Sequence, residues 1–196
     1  MLNLTFLEIG TSNFDLLAEK FDFTNGMCVE PISAYLDSIP NGTNLIKVNC
    51  AIAEDNIESQ AEIFWIPSEV IEQQGLPTWL KGCNRIGQYH SAHQNLEHLV
   101  TKTTIKKIPI GDLFQQYNIA SVQYLRIDTE GSDCKILTHL FPILQSNISL
   151  RPQEITFESN VLIPDEDVDN IIALYTTLGY VLQSRDNQNT VMVQSR

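Results

Sequence analysis

The segment Leu4 to Ile9 is apolar at nearly every position and is cut off by Gly10. So short and unbroken a run suits a central parallel strand buried on both faces, because a strand with one wet face would alternate apolar and polar residues. A parallel neighbour can be reached only through a crossover, and the chain after Gly10 offers one. Apolar residues at Phe14, Leu16, Leu17, Ala18 and Phe21 suit a helix starting from Asn13. Gly26 then opens a second short strand, Met27 to Val29, which ends in Glu30-Pro31. Strand, helix and strand within about thirty residues is the size of one βαβ unit.

The alternation continues. Ala34 to Ser38 reads as a short helix stopped at Pro40 and Gly42, Leu45 to Ile52 as a third strand, and Ser59 to Ile66 as an added one. Pro67 to Glu97 is a long mixed stretch, an irregular insertion of the kind that often carries specificity. Val100 to Ile108 alternates, Ile110 to Tyr117 is helical, and Val122 to Ile127 is a buried strand ending in Asp128. Helical spacing resumes from Ser132 to Leu144, and Glu154 to Phe157 is a strand ending in Glu158. Asp167 to Leu178 is an amphipathic helix stopped by Gly179, and the strands Tyr180 to Ser184 and Thr190 to Val193 flank the turn residues Asp186 to Asn189. The pattern predicts an α/β fold with a mostly parallel sheet and a C-terminal antiparallel hairpin. A chain of 196 residues accommodates it as a single domain, 1–196.

Charge narrows the partners. With 24 acidic residues against 12 basic, the net charge of -12 repels phosphate backbones, so nucleic acid is not expected as a substrate. The one basic cluster, Lys102, Lys106 and Lys107, reads as a solvated face. Cys28, Cys50, Cys83 and Cys134 form no CxxC pair and read as reduced thiols. No leader opens the chain and no apolar stretch approaches the roughly 18 residues that cross a bilayer, so a cytoplasmic protein with no membrane partner is expected.

In an open parallel sheet, ligands sit beyond the carboxyl ends of the strands. Those ends are acidic here: Glu8 with Gly10, then Glu30, then Asp128 with Glu130, then Glu158 with Asn160. Gly10 lets the backbone turn close under a ligand, and Thr11 and Ser12 add hydroxyls and amides. A full GxGxxG is missing, which argues against a dinucleotide and a nucleotide-dependent oxidoreductase. Glu30 stands about twenty residues after Gly10, where an acid can accept the hydroxyl hydrogens of a ribose. Within the insertion, Trp79, Asn84, Arg85, Tyr89, His90 and His93 are candidate acceptor contacts. Either histidine can serve as a general base near neutral pH, and the aromatics can stack on a sugar ring. The spacing of His90 and His93 also resembles a metal-ligand pair, but no cysteine or acid completes a zinc motif.

The strings FLEIGTSNFDLL, CVEPISAYLD, VNCAIAE, YLRIDTEGSDCKIL and ITFESN resemble, in order, the FkbM-type methyltransferases, most specifically through IDTEG, Ile127 to Gly131. The resemblance implies a Rossmann-like methyltransferase fold that binds S-adenosylmethionine near Glu8, Gly10, Thr11, Ser12, Glu30, Pro31, Ala51 and Ile52, with Asp128 beside it. It also implies O-methylation of a sugar or small natural-product hydroxyl. Asp128 and Glu130 lead as the groups that remove the acceptor's proton, with His90 beside them. The first strand begins too early for a preceding helix to cover the cofactor, so the cover must come from Pro67 to Glu97 or from another subunit of a homo-oligomer. Asp128, Glu158 and Asn160 offer three oxygens that a magnesium or calcium ion would take, although the resemblance does not demand a metal and a metal-free site is expected. The alternative function is a methyltransferase-like module that binds cofactor or nucleoside without catalysis.

Overall fold

The apolar run near the start lies where its composition requires, with a parallel strand on either side. The computed structural model describes residues 1–195. In chain order the first elements are β1 (Leu2–Ile9), β2 (Gly26–Val29), α1 (Ser33–Ser38), β3 (Ile46–Val48), β4 (Ala51–Ile52), β5 (Ser59–Trp65), α2 (Ser68–Gln73) and β6 (Arg85–Ile86). They are followed by β7 (Thr101–Ile108), α3 (Ile110–Gln116), β8 (Ile119–Ile127), α4 (Asp133–Ser146), β9 (Glu154–Glu158), α5 (Asp165–Thr176), β10 (Tyr180–Arg185) and β11 (Asn189–Gln194).

The larger sheet has the order β10-β11-β9-β8-β1-β2-β3. Five strands, β3, β2, β1, β8 and β9, run parallel. The closing hairpin is antiparallel, and its second strand, β11, pairs with β9. The expected α/β class, mostly parallel sheet and terminal hairpin are therefore present. The chain builds outward from β1 in one direction through β2 and β3, and from β8 in the other through β9. That reversal opens a crevice beyond the adjacent ends of β1 and β8, where Ile9 stands opposite Ile127.

Two apolar layers hold the sheet. On one face Leu7, Ile9, Ile127, Ile155 and Phe157 pack against Leu113 of α3, Ile136, Leu137 and Leu140 of α4, and Ile171 of α5. Each such buried side chain contributes about 1.5–3 kcal/mol. On the other, Phe6 and Cys28 pack with Leu17, Ala18, Leu36 and Ile39. All four cysteines are buried and unpaired. Among the described residues, no helix is long and apolar enough to cross a membrane.

Three local expectations are corrected. The segment after Asn13 does not form an α-helix, and only Leu17–Phe21 coils, as a 3-10 turn. Ser12 (φ 43°) and Asp15 (φ 52°) adopt left-handed conformations that interrupt a right-handed helix. The turn starts instead on the buried carboxylate of Glu8, which accepts the N–H of Leu17 (2.7 Å) and of Ala18 (3.3 Å).

Leu45 to Ile52 is two strands rather than one. The side-chain amide of Asn49 donates to the carbonyls of Glu30 (2.9 Å) and Pro31 (3.0 Å), and this anchor turns the chain out of the large sheet. The second piece, β4, enters a separate sheet of order β4-β7-β5-β6, which also takes the alternating segments around 59–66 and 100–108. Finally, the insertion between Pro67 and Glu97 is less irregular than its composition suggests. It contains α2 and also β6, whose Ile86 pairs with Ile63.

Candidate active site

Two cavities adjoin at the crevice. The first lies over the ends of β1, β2 and β4 and is lined by Gly10, Glu30, Pro31, Ala51 and Ile52 together with Asn84 and Ile86. The second, about 1290 Å³ and wider, is bounded by Thr11, Phe14, Trp79, His90, Glu158, Asn160 and the β10–β11 turn residues Gln188 and Asn189. Gly10, Ser12, Gly82, Asp128 and Glu130 line both.

The backbone frame of this junction is tight. Gly10 sits at φ +81°, and a Cβ there would fall 1.8 Å from the carbonyl oxygen of Asp128. Only glycine lets the ends of β1 and β8 approach so closely, and the Asp128 N–H seals the contact by donating to the Ile9 carbonyl (2.9 Å). Glu30 ties the neighbouring loops together. Its two oxygens accept the N–H groups of Ser12 (2.7 Å) and Ile32 (2.8 Å). Glu130 adopts φ 54°, a conformation costly for a residue with a Cβ, and Gly131 follows at φ 108°.

Carboxylates crowd the junction. Asp128 pairs with Arg126 at 2.9 Å, and Arg126 also reaches Asp15 (3.1 Å) and Glu8 (3.6 Å). Glu130 approaches Nε2 of His90 at 3.0 Å. Asp133 is fully buried at the start of α4. One of its oxygens accepts the hydroxyl (2.6 Å) and N–H (3.2 Å) of Thr129, and the other accepts the N–H of Glu158 (3.1 Å). Burial raises the pKa of Asp128 and Glu130 against the opposing pull of Arg126 and His90 respectively. Glu158 is pushed up to about 10, first by burial and then by Glu130, Asp128 and Asp133.

A family model described as "Methyltransferase FkbM domain" matches residues 11–182, most of the chain. The chain belongs to the FkbM methyltransferase family. S-adenosylmethionine is the usual cofactor of such enzymes. No curated protein and no solved structure matches the chain.

Within this FkbM domain, the structure gathers most of the residues singled out in the sequence. Gly10, Ser12, Glu30, Pro31, Ala51, Ile52 and Asp128 line the first cavity, while Thr11 lines the second. Glu8 lines neither, because its carboxylate is engaged by Leu17 and Ala18. Of the acceptor candidates, Trp79, His90, Glu158 and Asn160 border the second cavity, and Asn84 the first. Arg85, Tyr89 and His93 border neither. Tyr89 stacks edge-on against Phe64 with ring centroids 4.8 Å apart. His93 is fully buried, and burial followed by the neighbouring His90 lowers its pKa. The Pro67–Glu97 segment supplies Gly82, Asn84 and Ile86 to the first cavity.

Sequence reasoning missed Arg126, Thr129, Ser132 and Asp133 of the FkbM domain. Arg126 carries the one charge in its strand, a signal visible in the sequence. Asp133 had only the weak signal of an acid in the first turn of a helix.

Glu8, Glu30 and Asp133 share one consequence. Burial raises the pKa of each to about 7, above the ordinary carboxylate value that the unfolded chain retains. The folded form then binds protons more tightly, so their contribution to stability is full below pH about 4.5 and is lost as the pH rises through about 7. Urea denaturation of the ligand-free protein should therefore give a higher unfolding free energy at pH 5 than at pH 8. An equal or higher value at pH 8 contradicts this assignment.

Proposed function

We propose that the chain is an S-adenosylmethionine-dependent methyltransferase of Rossmann-like architecture that methylates a hydroxyl oxygen of a small or carbohydrate-like acceptor. The observation that carries this reading is the shared rim. Two cavities that meet at Asp128 and Glu130 let a cofactor on one side and an acceptor on the other come together at buried carboxylates.

The first cavity fits the cofactor. Ile52, Ile63 and Ile86 give it apolar walls for a purine, and the buried carboxylate of Glu30 faces it. A carboxylate has about four lone-pair sites, so after binding Ser12 and Ile32 Glu30 keeps capacity for two ribose hydroxyls. When bound, S-adenosylmethionine supplies a methyl group already activated by its sulfonium. The second cavity pairs the half-exposed Trp79 and the exposed Phe14 with the amides of Asn160, Gln188 and Asn189. Aromatic faces beside amides suit a ring that is apolar on one face and hydroxylated at its edge.

In this reading Glu130 would take the proton of the acceptor hydroxyl as the methyl group passes from the cofactor's sulfur, which keeps the bonding pair as a neutral thioether, to the acceptor oxygen. His90 stands beside Glu130, its Nε2 3.0 Å from the carboxylate, rather than taking the proton itself. Its Nδ1 accepts the Ala92 N–H (3.0 Å), which leaves the ring proton on Nε2, facing Glu130. Asp128, fixed by Arg126, stands between cofactor and acceptor.

The test begins with thermal denaturation in the presence of S-adenosylmethionine or its demethylated product. A ligand at a hundredfold excess over Kd stabilises the folded state by about 2.7 kcal/mol, roughly 5–10 °C in a chain of this size. No shift at saturation removes the reading. A shift without methyl gain on any sugar, phenol or natural-product alcohol, read by mass spectrometry, favours a binding module without catalysis.

A further inference from the structure

We propose that Asp128, Glu130 and Glu158 bind one hard divalent cation, of the magnesium or manganese type, on the acceptor side of the crevice. Each offers a carboxylate oxygen, and the three oxygens lie within 4.8 Å of one another. Ligands on opposite sides of a cation bound at 2.0–2.1 Å stand about 4 Å apart, so small side-chain movements complete the set.

The acids do not carry this alone. Glu158 is only 7 % exposed, and its Oε2 has no hydrogen-bond partner. Its other oxygen accepts the side-chain amide of Asn160, and Asn160 cannot turn to help because its own oxygen holds the Leu162 N–H (2.8 Å). Among the described residues no basic side chain forms an ion pair with Glu158, and Arg126 is already divided among Asp128, Asp15 and Glu8. A buried, unpartnered carboxylate oxygen facing two further carboxylates is an arrangement that a cation resolves. Asn160, whose amide nitrogen faces Glu158, is not a ligand, and Glu130 takes the place the sequence had given it.

A second grouping, Cys83, His90 and Glu130, is equally close and would suit a softer metal. The histidine excludes it. With Nδ1 accepting from Ala92, Nε2 is left as the nitrogen that carries the ring proton and has no lone pair for a metal. Only the all-oxygen set is free to bind.

The role of the cation rests on the methyl-transfer reading, but its binding does not. Three carboxylates leave about three of six octahedral positions open, enough for two neighbouring hydroxyls of an acceptor lying in the second cavity. The cation would acidify the hydroxyl whose proton passes to the Glu130 oxygen that the cation leaves unbound, and acceptors with adjacent oxygens would be preferred.

The test titrates manganese into the EDTA-stripped full chain without cofactor, following free Mn²⁺ by electron paramagnetic resonance. Wild type and Glu58→Gln, a change at an exposed acid that pairs with Lys106 and lines neither cavity, should bind one ion per chain. Glu158→Gln should bind at least tenfold more weakly while melting as a folded protein, and Asp128→Asn serves if that variant does not fold. Magnesium should raise the Tm of wild type and leave that of the folded site variant unchanged. No saturable binding by wild type, or equal binding by a folded site variant, overturns the proposal. Because no cofactor is present, these outcomes are independent of whether S-adenosylmethionine binds.

Discussion

Replacing Glu130 by Gln should cut methyl transfer by about 100- to 10,000-fold, the usual contribution of a positioned general base. Gln has the shape of Glu and still offers an oxygen to His90 Nε2, but it cannot accept the acceptor's proton. The loss should appear in kcat and kcat/KM alike, with cofactor affinity changed by no more than a few-fold. Stability separates this from a structural role. Glu130 holds a buried carboxylate whose pKa burial raises, so its charge is costly at this position, whereas Gln bears the same backbone conformation without it. The variant should melt at or above the wild-type temperature. Full turnover in Glu130→Gln would remove Glu130 from the chemistry, and a melt well below wild type would show that its charge is structural.

The largest effect on stability is expected at Gly10. In Gly10→Ala the new Cβ meets the Asp128 carbonyl oxygen at 1.8 Å, and the backbone holds φ +81°, which costs an L-residue about 1–2 kcal/mol by itself. The clash is with backbone, so relief requires β1 and β8 to separate at the ends that form the crevice. We expect a total loss of about 3 kcal/mol or more, together with cofactor binding. Gly75→Ala is the control, because Gly75 also has a positive φ (+61°) but nothing within 4 Å of its Cβ. It should lose only about 1 kcal/mol. Equal urea midpoints for the two variants would mean that the strand ends yield easily and that Gly10 matters only for its dihedral angles.

The parts of this fold that were legible in the sequence are those whose residues report their own surroundings. Leu4 to Ile9 is nearly all apolar because most of it is buried, and the turn residues Asp186 to Asn189 mark a hairpin wherever it docks. The misread parts depend on partners distant in the chain. The break between β3 and β4 is made by Asn49 reaching the carbonyls of Glu30 and Pro31. The missing helix after Asn13 reflects a carboxylate that arrives from β1. For the candidate site, the strand-end rule located Gly10, Glu30, Asp128, Glu130 and Glu158 without any knowledge of contacts. It misjudged Glu8 because position along a strand does not reveal what packs over it. Asp133 escaped notice because its importance lies in binding Thr129 and the Glu158 N–H at once.

The segment 67–97 lends Gly82, Asn84 and Ile86 to one cavity and Trp79, Gly82, Cys83 and His90 to the other. A single stretch of chain is thus both a roof and a wall. On the proposed assignment of the two cavities, grafting this stretch between family members to exchange acceptors would carry the cofactor's cover along with it, so preference for the acceptor and grip on the cofactor would change together rather than as separable modules.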